Sequence, residues 1–151
     1  MLYNTLKFLH ILLTIIAVGF SMTFGILLSR AARASQDGRE LKYALTTVRL
    51  MSRIANIGFV LIVLLGVGMM HVQGLSWAPI WIHGSAALFL IALALGIFVM
   101  APMMNRRIAI LDTRGLSDPE FIRLSKRSAM LGGILSLITL TIIWLMVAKP
   151  Q

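Results

Sequence analysis

Three histidines, His10, His71 and His83, are the only ionisable side chains within or at the edge of the long apolar stretches of this 151-residue sequence. A neutral imidazole is a good ligand for iron or copper, and an ionisable group at membrane depth marks a candidate functional site. Counted from the apolar boundaries at Phe8 and Ile80, His10 and His83 lie about 3–5 Å deep, at nearly one level. His10, Thr14, Ala17, Ser21 and Gly25 follow one another at steps of four, three, four and four. Such small and polar stripes are the faces on which membrane helices approach closely, so His10 is expected to point inward. His83, with Gly84 beside it and Ala86, Ala87 and Ala94 further along, is expected to point inward too. His71 is offset by about 140° from Gly66 and is expected to reach the aqueous boundary.

Two inward imidazoles at one level are a plausible pair of axial ligands for a b-type haem held between helices. Lys7 and Lys149, the only cations at that end, would then meet the haem propionates. The alternative is structural: each histidine bonds a neighbouring helix, with Thr14, Thr139 or Ser85 as partner, and the lysines snorkel to headgroups. Met69-Met70-His71 offers a third chemistry, a thioether and an imidazole acceptable to copper. Met100, Met103 and Met104 belong to the opposite membrane face and cannot join it. Gly132, Ser136 and Thr139 form a packing stripe on the last apolar segment.

The absence of cysteine excludes disulfides, thiolate metal sites and cysteine nucleophiles. No Asp or Glu lies in an apolar segment, which removes carboxylate proton relays through a bilayer. No phosphate loop, Ser-His-Asp order or carboxylate pair is present, so these residues leave open whether the chain is an enzyme.

The elements that must carry these histidines follow from composition. With 59% hydrophobic and 13% charged residues and a mean hydropathy of +0.93, the chain lies far outside the range of soluble domains. Runs long enough to cross the hydrocarbon occupy about 8–28, 54–74, 80–104 and 129–147, giving an all-α, four-helix integral membrane bundle in one domain, residues 1–151. Arg30, Arg33, Arg39, Lys42, Arg49 and Arg53 follow the first run, and Arg106, Arg107, Arg114, Arg123, Lys126 and Arg127 follow the third. The positive-inside rule makes both basic loops cytoplasmic and both termini external, in a bacterial plasma membrane. Tyr3, Trp77, Trp81 and Trp144 sit at the outer boundary, where aromatic rings are favoured. A signal peptide ending at Ala32-Arg33-Ala34 is the competing reading of the first run, which is too long and wrongly flanked for one.

Both basic connections are expected to be helical and to carry the bundle into the cytoplasm. Asp37 with Glu40, and Ser117 with Glu120 across Pro119, fit capping boxes. Gly115 is placed to end the third helix. Leu41, Ala44, Leu45, Val48 and Met51 give the charged stretch an apolar face. The basic residues around it can meet anionic lipids, or serve as topology determinants alone. They are split between two short loops, which gives nucleic-acid binding little support. A larger membrane complex or a homo-oligomer is the partner class that remains.

The opening Met1-Leu2-Tyr3 with Leu6-Lys7-Phe8-Leu9-His10, the Trp81-Ile82-His83 segment, Pro102-Met103 with Arg106, and the closing Trp144-Leu145-Met146-Val147-Ala148-Lys149-Pro150 resemble an uncharacterised bacterial family of four-helix integral membrane proteins. More distantly the chain is similar to the copper-resistance D-like group, which includes the membrane protoporphyrinogen oxidase of the HemJ type. That resemblance implies a haem ligand at His10 and a Trp-Leu-His-x-Lys segment at the third helix, matched here in part by Trp81-Ile82-His83. Ser85 stands in place of the lysine that the resemblance associates with binding or activity.

Overall fold

The computed structural model describes residues 1–74, 76 and 79–149. Trp77 and Pro150, which the sequence reading placed at the outer boundary and in the closing motif, lie outside the described residues. The helices are α1 (Leu2–Ala34), α2 (Arg39–Gln73), α3 (Ile80–Ala94), α4 (Ala101–Thr113) and α5 (Pro119–Ala148), with a π-helical segment, Leu95–Met100, joining α3 to α4 into one rod. Four rods are thus long and apolar enough to cross a membrane. The rod from Ile80 to Thr113 has 34 residues, about 51 Å at 1.5 Å each, against about 30 Å of hydrocarbon. Helix therefore continues well past the apolar runs.

The helix ends follow local chemistry, with two corrections to the expected caps. Asp118, not Ser117, is the N-cap of α5: its carboxylate accepts from the Glu120 and Phe121 amides at 2.8 and 3.2 Å, and Pro119 fills the first turn. At α2 the cap is Gly38, while Asp37 accepts from the Arg39 amide and pairs with its guanidinium at 2.8 Å. Glycine is needed there for two reasons. Its φ is +89°, and a Cβ would come within 3.1 Å of Leu111 Cδ1, where the connection crosses the end of α4. Gly115, with φ +81°, receives the end of α4 as expected, its amide donating to Ile110 O.

Packing divides the molecule into two hairpins, α1 on α2 and α3 on α5, with α4 lying against α2 and α5. The expected stripe on α1 holds as far as Ser21: Ala17 is buried and meets the position of a Gly58 Cβ at 3.8 Å. Gly25 departs from it, being exposed with open space around its Cβ position. Two successive steps of four from Ala17 carry Gly25 about 80° around the helix, whereas Phe24 and Leu28 return toward the neighbours. Phe24, Leu28 and Ala31 accordingly pack on the main core of Leu41, Leu45, Val48, Met104, Ile110, Leu111 and Phe121. That core sits at the end of the bundle carrying the basic loops.

The π-helical segment was not expected, and Pro102 explains it. Proline has no N–H to give to Phe98 O, and its ring would collide with that carbonyl in a regular α-helix. The chain widens instead, so that the Ala101 amide bonds Gly96 O, five residues back. A widened turn adds one residue to the repeat. Beyond the widened turn, Met104, Arg107, Ile110 and Leu111, at steps of three and four, form the buried face of α4, while Arg106 is exposed.

Candidate functional site: a tethered histidine and a buried arginine

At the histidine end, the His10 ring lies against α2. Its Nδ1 is 2.9 Å from Ile62 O, and since a carbonyl can only accept, Nδ1 carries the proton. The neutral ring then has its lone pair on Nε2. The ring packs over Gly66, where a Cβ would be in ordinary van der Waals contact with Cε1, at 3.5 Å. A backbone carbonyl on the far ring nitrogen is the usual support of a metal-binding histidine, and it is equally a bond that ties α1 to α2.

His83 is exposed, contrary to the inward orientation expected from its small neighbours. The face of α3 turned toward the bundle is set by Ile82 and Ser85, both buried, with Gly84 closing on Leu145, and His83 lies about 100° round from Ile82. His10 and His83 therefore do not open onto one interior volume. The residue that α3 does present is Ser85, 1% exposed, whose Oγ has no hydrogen-bond partner among the described residues. Phe59 and Phe89 pack edge to face at 5.9 Å and so fix the register of α2 against α3. Ile62 lies three residues from Phe59 and Ser85 four from Phe89, both toward the histidine end, so they are at similar depths along the bundle. Of the donor set expected for a haem, His10 fits as a ligand, while an imidazole facing it from α3 does not.

The other expected residues are placed as follows. Lys7 is exposed. The Lys149 ammonium lies 5.5 Å from the centre of the Trp81 ring. His71 is exposed in the last turn of α2, as expected, with Met69 and Met70 half-buried before it. Among the described residues no three His, Asp or Glu side chains gather as a metal site. Membrane hydroxyls bond their own helices: Thr14 to His10 O, Ser21 to Ala17 O, Ser136 to Gly132 O and Thr139 to Leu135 O, at 2.7–3.0 Å.

A second polar site, at the basic end, was missed by sequence reasoning. Arg107 is 5% exposed within the main core. One terminal nitrogen reaches Ser128 Oγ at 3.3 Å, the guanidinium lies 5.6 Å from the Phe121 ring centre, and Nε has no partner. The carboxylates nearby belong to other cations, Asp112 to Lys42, Asp118 to Arg114, and Glu120 to Arg106 and Arg114. Helical spacing was the available signal, since Arg107 stands at steps of three and four from Met104, Ile110 and Leu111 on one apolar face.

No curated protein and no solved structure matches the chain. Residues 4–150 match a family described as a predicted integral membrane protein, DUF2269. An apolar four-rod architecture, together with a match over nearly the whole length, makes this chain a member of that integral membrane family.

Proposed function

We propose that this protein is a multi-pass redox component of a bacterial plasma membrane that binds b-type haem through Nε2 of His10. The observation carrying this reading is the 2.9 Å bond from His10 Nδ1 to Ile62 O, which sets both the tautomer and the direction of the ring. Haem iron would supply reversible one-electron chemistry. His10 would bind and orient the group, and the unpartnered Ser85 hydroxyl, at a similar depth, would be available to give it, or a water beside it, a hydrogen bond. His83 is not assigned to a site inside the bundle, and Lys149 is already engaged by Trp81. The distant similarity to the HemJ-type oxidase agrees with His10 as ligand, but Ser85 in place of the lysine keeps oxidase activity out of the proposal. In this reading the basic loops face the cytoplasm and its anionic lipids, by the positive-inside rule.

The test is a visible spectrum of the purified protein before and after dithionite, with a pyridine haemochrome assay, after expression with ample iron and haem precursor. A reduced α-band and a fixed haem-to-protein ratio are expected. Protein that folds without haem under those conditions overturns the reading. A non-catalytic subunit of a larger membrane complex then replaces it, a role favoured by the Thr14, Ser21, Ser136 and Thr139 hydroxyls, which turn back on their own helices.

A further inference from the structure

Arg107 is a buried cation with an incomplete set of partners. A guanidinium has five N–H donors and stays charged at any ordinary pH. Here it has one contact to a serine hydroxyl and one aromatic face, and Nε is left without a partner. Burying an ion without a counter-charge is among the most unfavourable arrangements a core can hold. The side chains that would normally answer it are committed elsewhere, and the five acidic residues of the sequence include none within the core. A second observation falls in the same place. Phe121, Ser125 and Ser128 follow at steps of four and three along α5, and Arg107 touches the first and last of them. The Ser125 Oγ between them is buried and unpartnered.

We propose that Arg107, Ser125 and Ser128 form a binding site for a phosphate group, supplied by an anionic phospholipid of the adjoining leaflet. The donor set is one-sided: a planar guanidinium fork and two hydroxyls call for a ligand rich in acceptor oxygens, and a phosphate has the geometry that such a fork recognises. The level is right as well. Arg107 lies three residues past Met104, where the apolar run ends, about 4.5 Å into the headgroup region. Exposed Arg106, Arg123, Lys126 and Arg127 lie within two residues of Arg107, Ser125 or Ser128 along the chain and raise the local concentration of anions. Arg107, and not Arg106, lies on the buried face of α4 with Met104, Ile110 and Leu111, at steps of three and four, and so is turned toward these serines.

The experiment uses the full chain, delipidated in a neutral detergent, with thermal unfolding followed as phosphatidylglycerol, inorganic phosphate or phosphate-free diacylglycerol is added. Wild type is expected to gain stability with phosphatidylglycerol and not with diacylglycerol. An equal gain from inorganic phosphate supports the site and makes free phosphate its ligand. In Arg107→Met the phosphatidylglycerol concentration for half the effect is expected to rise about tenfold or more, the loss of a charged hydrogen bond. Lipid-free stability is not expected to fall, because an uncompensated charge has been replaced by an apolar side chain of similar length. A merely structural arginine gives the reverse result, lower stability in detergent with the lipid response retained, and overturns the proposal. Should Arg107→Met fail to fold, Arg107→Lys and Ser125→Ala decide: weakened responses in both support the site, and unchanged midpoints in both overturn it.

Discussion

The ammonium of Lys149 lies over the ring of Trp81, 5.5 Å from its centre, and links the end of α5 to the start of α3. Lys149 caps α5 in the left-handed conformation, φ 45° and ψ 54°, with its amide on Leu145 O. A lysine adopts that backbone at some cost, and the contact with Trp81 offsets it. Two residues of the sequence motifs, Trp81 and Lys149, thus meet as one structural pair.

That pair is expected to contribute about 0.5–1 kcal/mol, the range for an exposed cation over an indole. A double-mutant cycle with Lys149→Gln and Trp81→Leu, read by thermal unfolding in detergent, measures it. Strictly additive effects would show that the two side chains do not interact.

Topology is set by charge. Accessible tags at both termini are expected on the outer side of the membrane, and a tag inserted at Gly115 on the inner side, because twelve of the fourteen cations flank the two basic connections. The opposite labelling pattern would reverse the orientation and put the histidine end in the cytoplasm.

The start of α5 separates two neighbouring candidates for one role. Asp118→Ala is expected to lose about 1 kcal/mol through two unpaired amides. Ser117→Ala is expected to stay within about 0.5 kcal/mol of wild type. Equal losses in the two variants would show that the carboxylate is not the cap.

Gly66 and Gly25 are both glycines of membrane helices, but only Gly66 faces a neighbouring side chain, the His10 ring. Gly66→Leu is expected to push the His10 ring off Ile62 and to lose about 1–3 kcal/mol, as overpacking does. Gly25→Leu meets open space and is expected to leave unfolding in detergent nearly unchanged. Similar destabilisation by both would mean that the small-residue stripe continues to Gly25 after all.

The four long apolar helices and the lie of His10 against α2 were legible because length, hydropathy and helical spacing act over many residues at once. Gly25 was misread because a run of steps of four drifts around the helix, an error that grows with each step. His83 was misread for a related reason: alanines and glycines occur on every side of α3, so small neighbours do not define a face there. Arg107 was missed because it was counted among the cations of a basic connection, although it stands three residues from both Met104 and Ile110, on their face of the helix. Depth along a span is easy to count, whereas rotation about its axis is lost when steps are not held to 3.6 residues per turn.

The cofactor proposal depends on separating the two jobs that His10 can do. His10→Asn keeps an N–H able to reach Ile62 O but removes the imidazole, so the fold is expected to persist within about 1 kcal/mol while bound haem is lost. His10→Ala is expected to lose both the tether and the haem. His83→Ala, on an exposed face, is expected to keep the absorption of the reduced protein, and His71→Ala to do the same from its position at the end of α2. The measurement is the reduced α-band with the haem-to-protein ratio of each variant, normalised to folded material. If His10→Asn retains an unchanged spectrum while His83→Ala loses it, the ligand is the exposed histidine. The haem would then sit on the surface of the bundle, and the bond from His10 to Ile62 would be a tie between helices and nothing more.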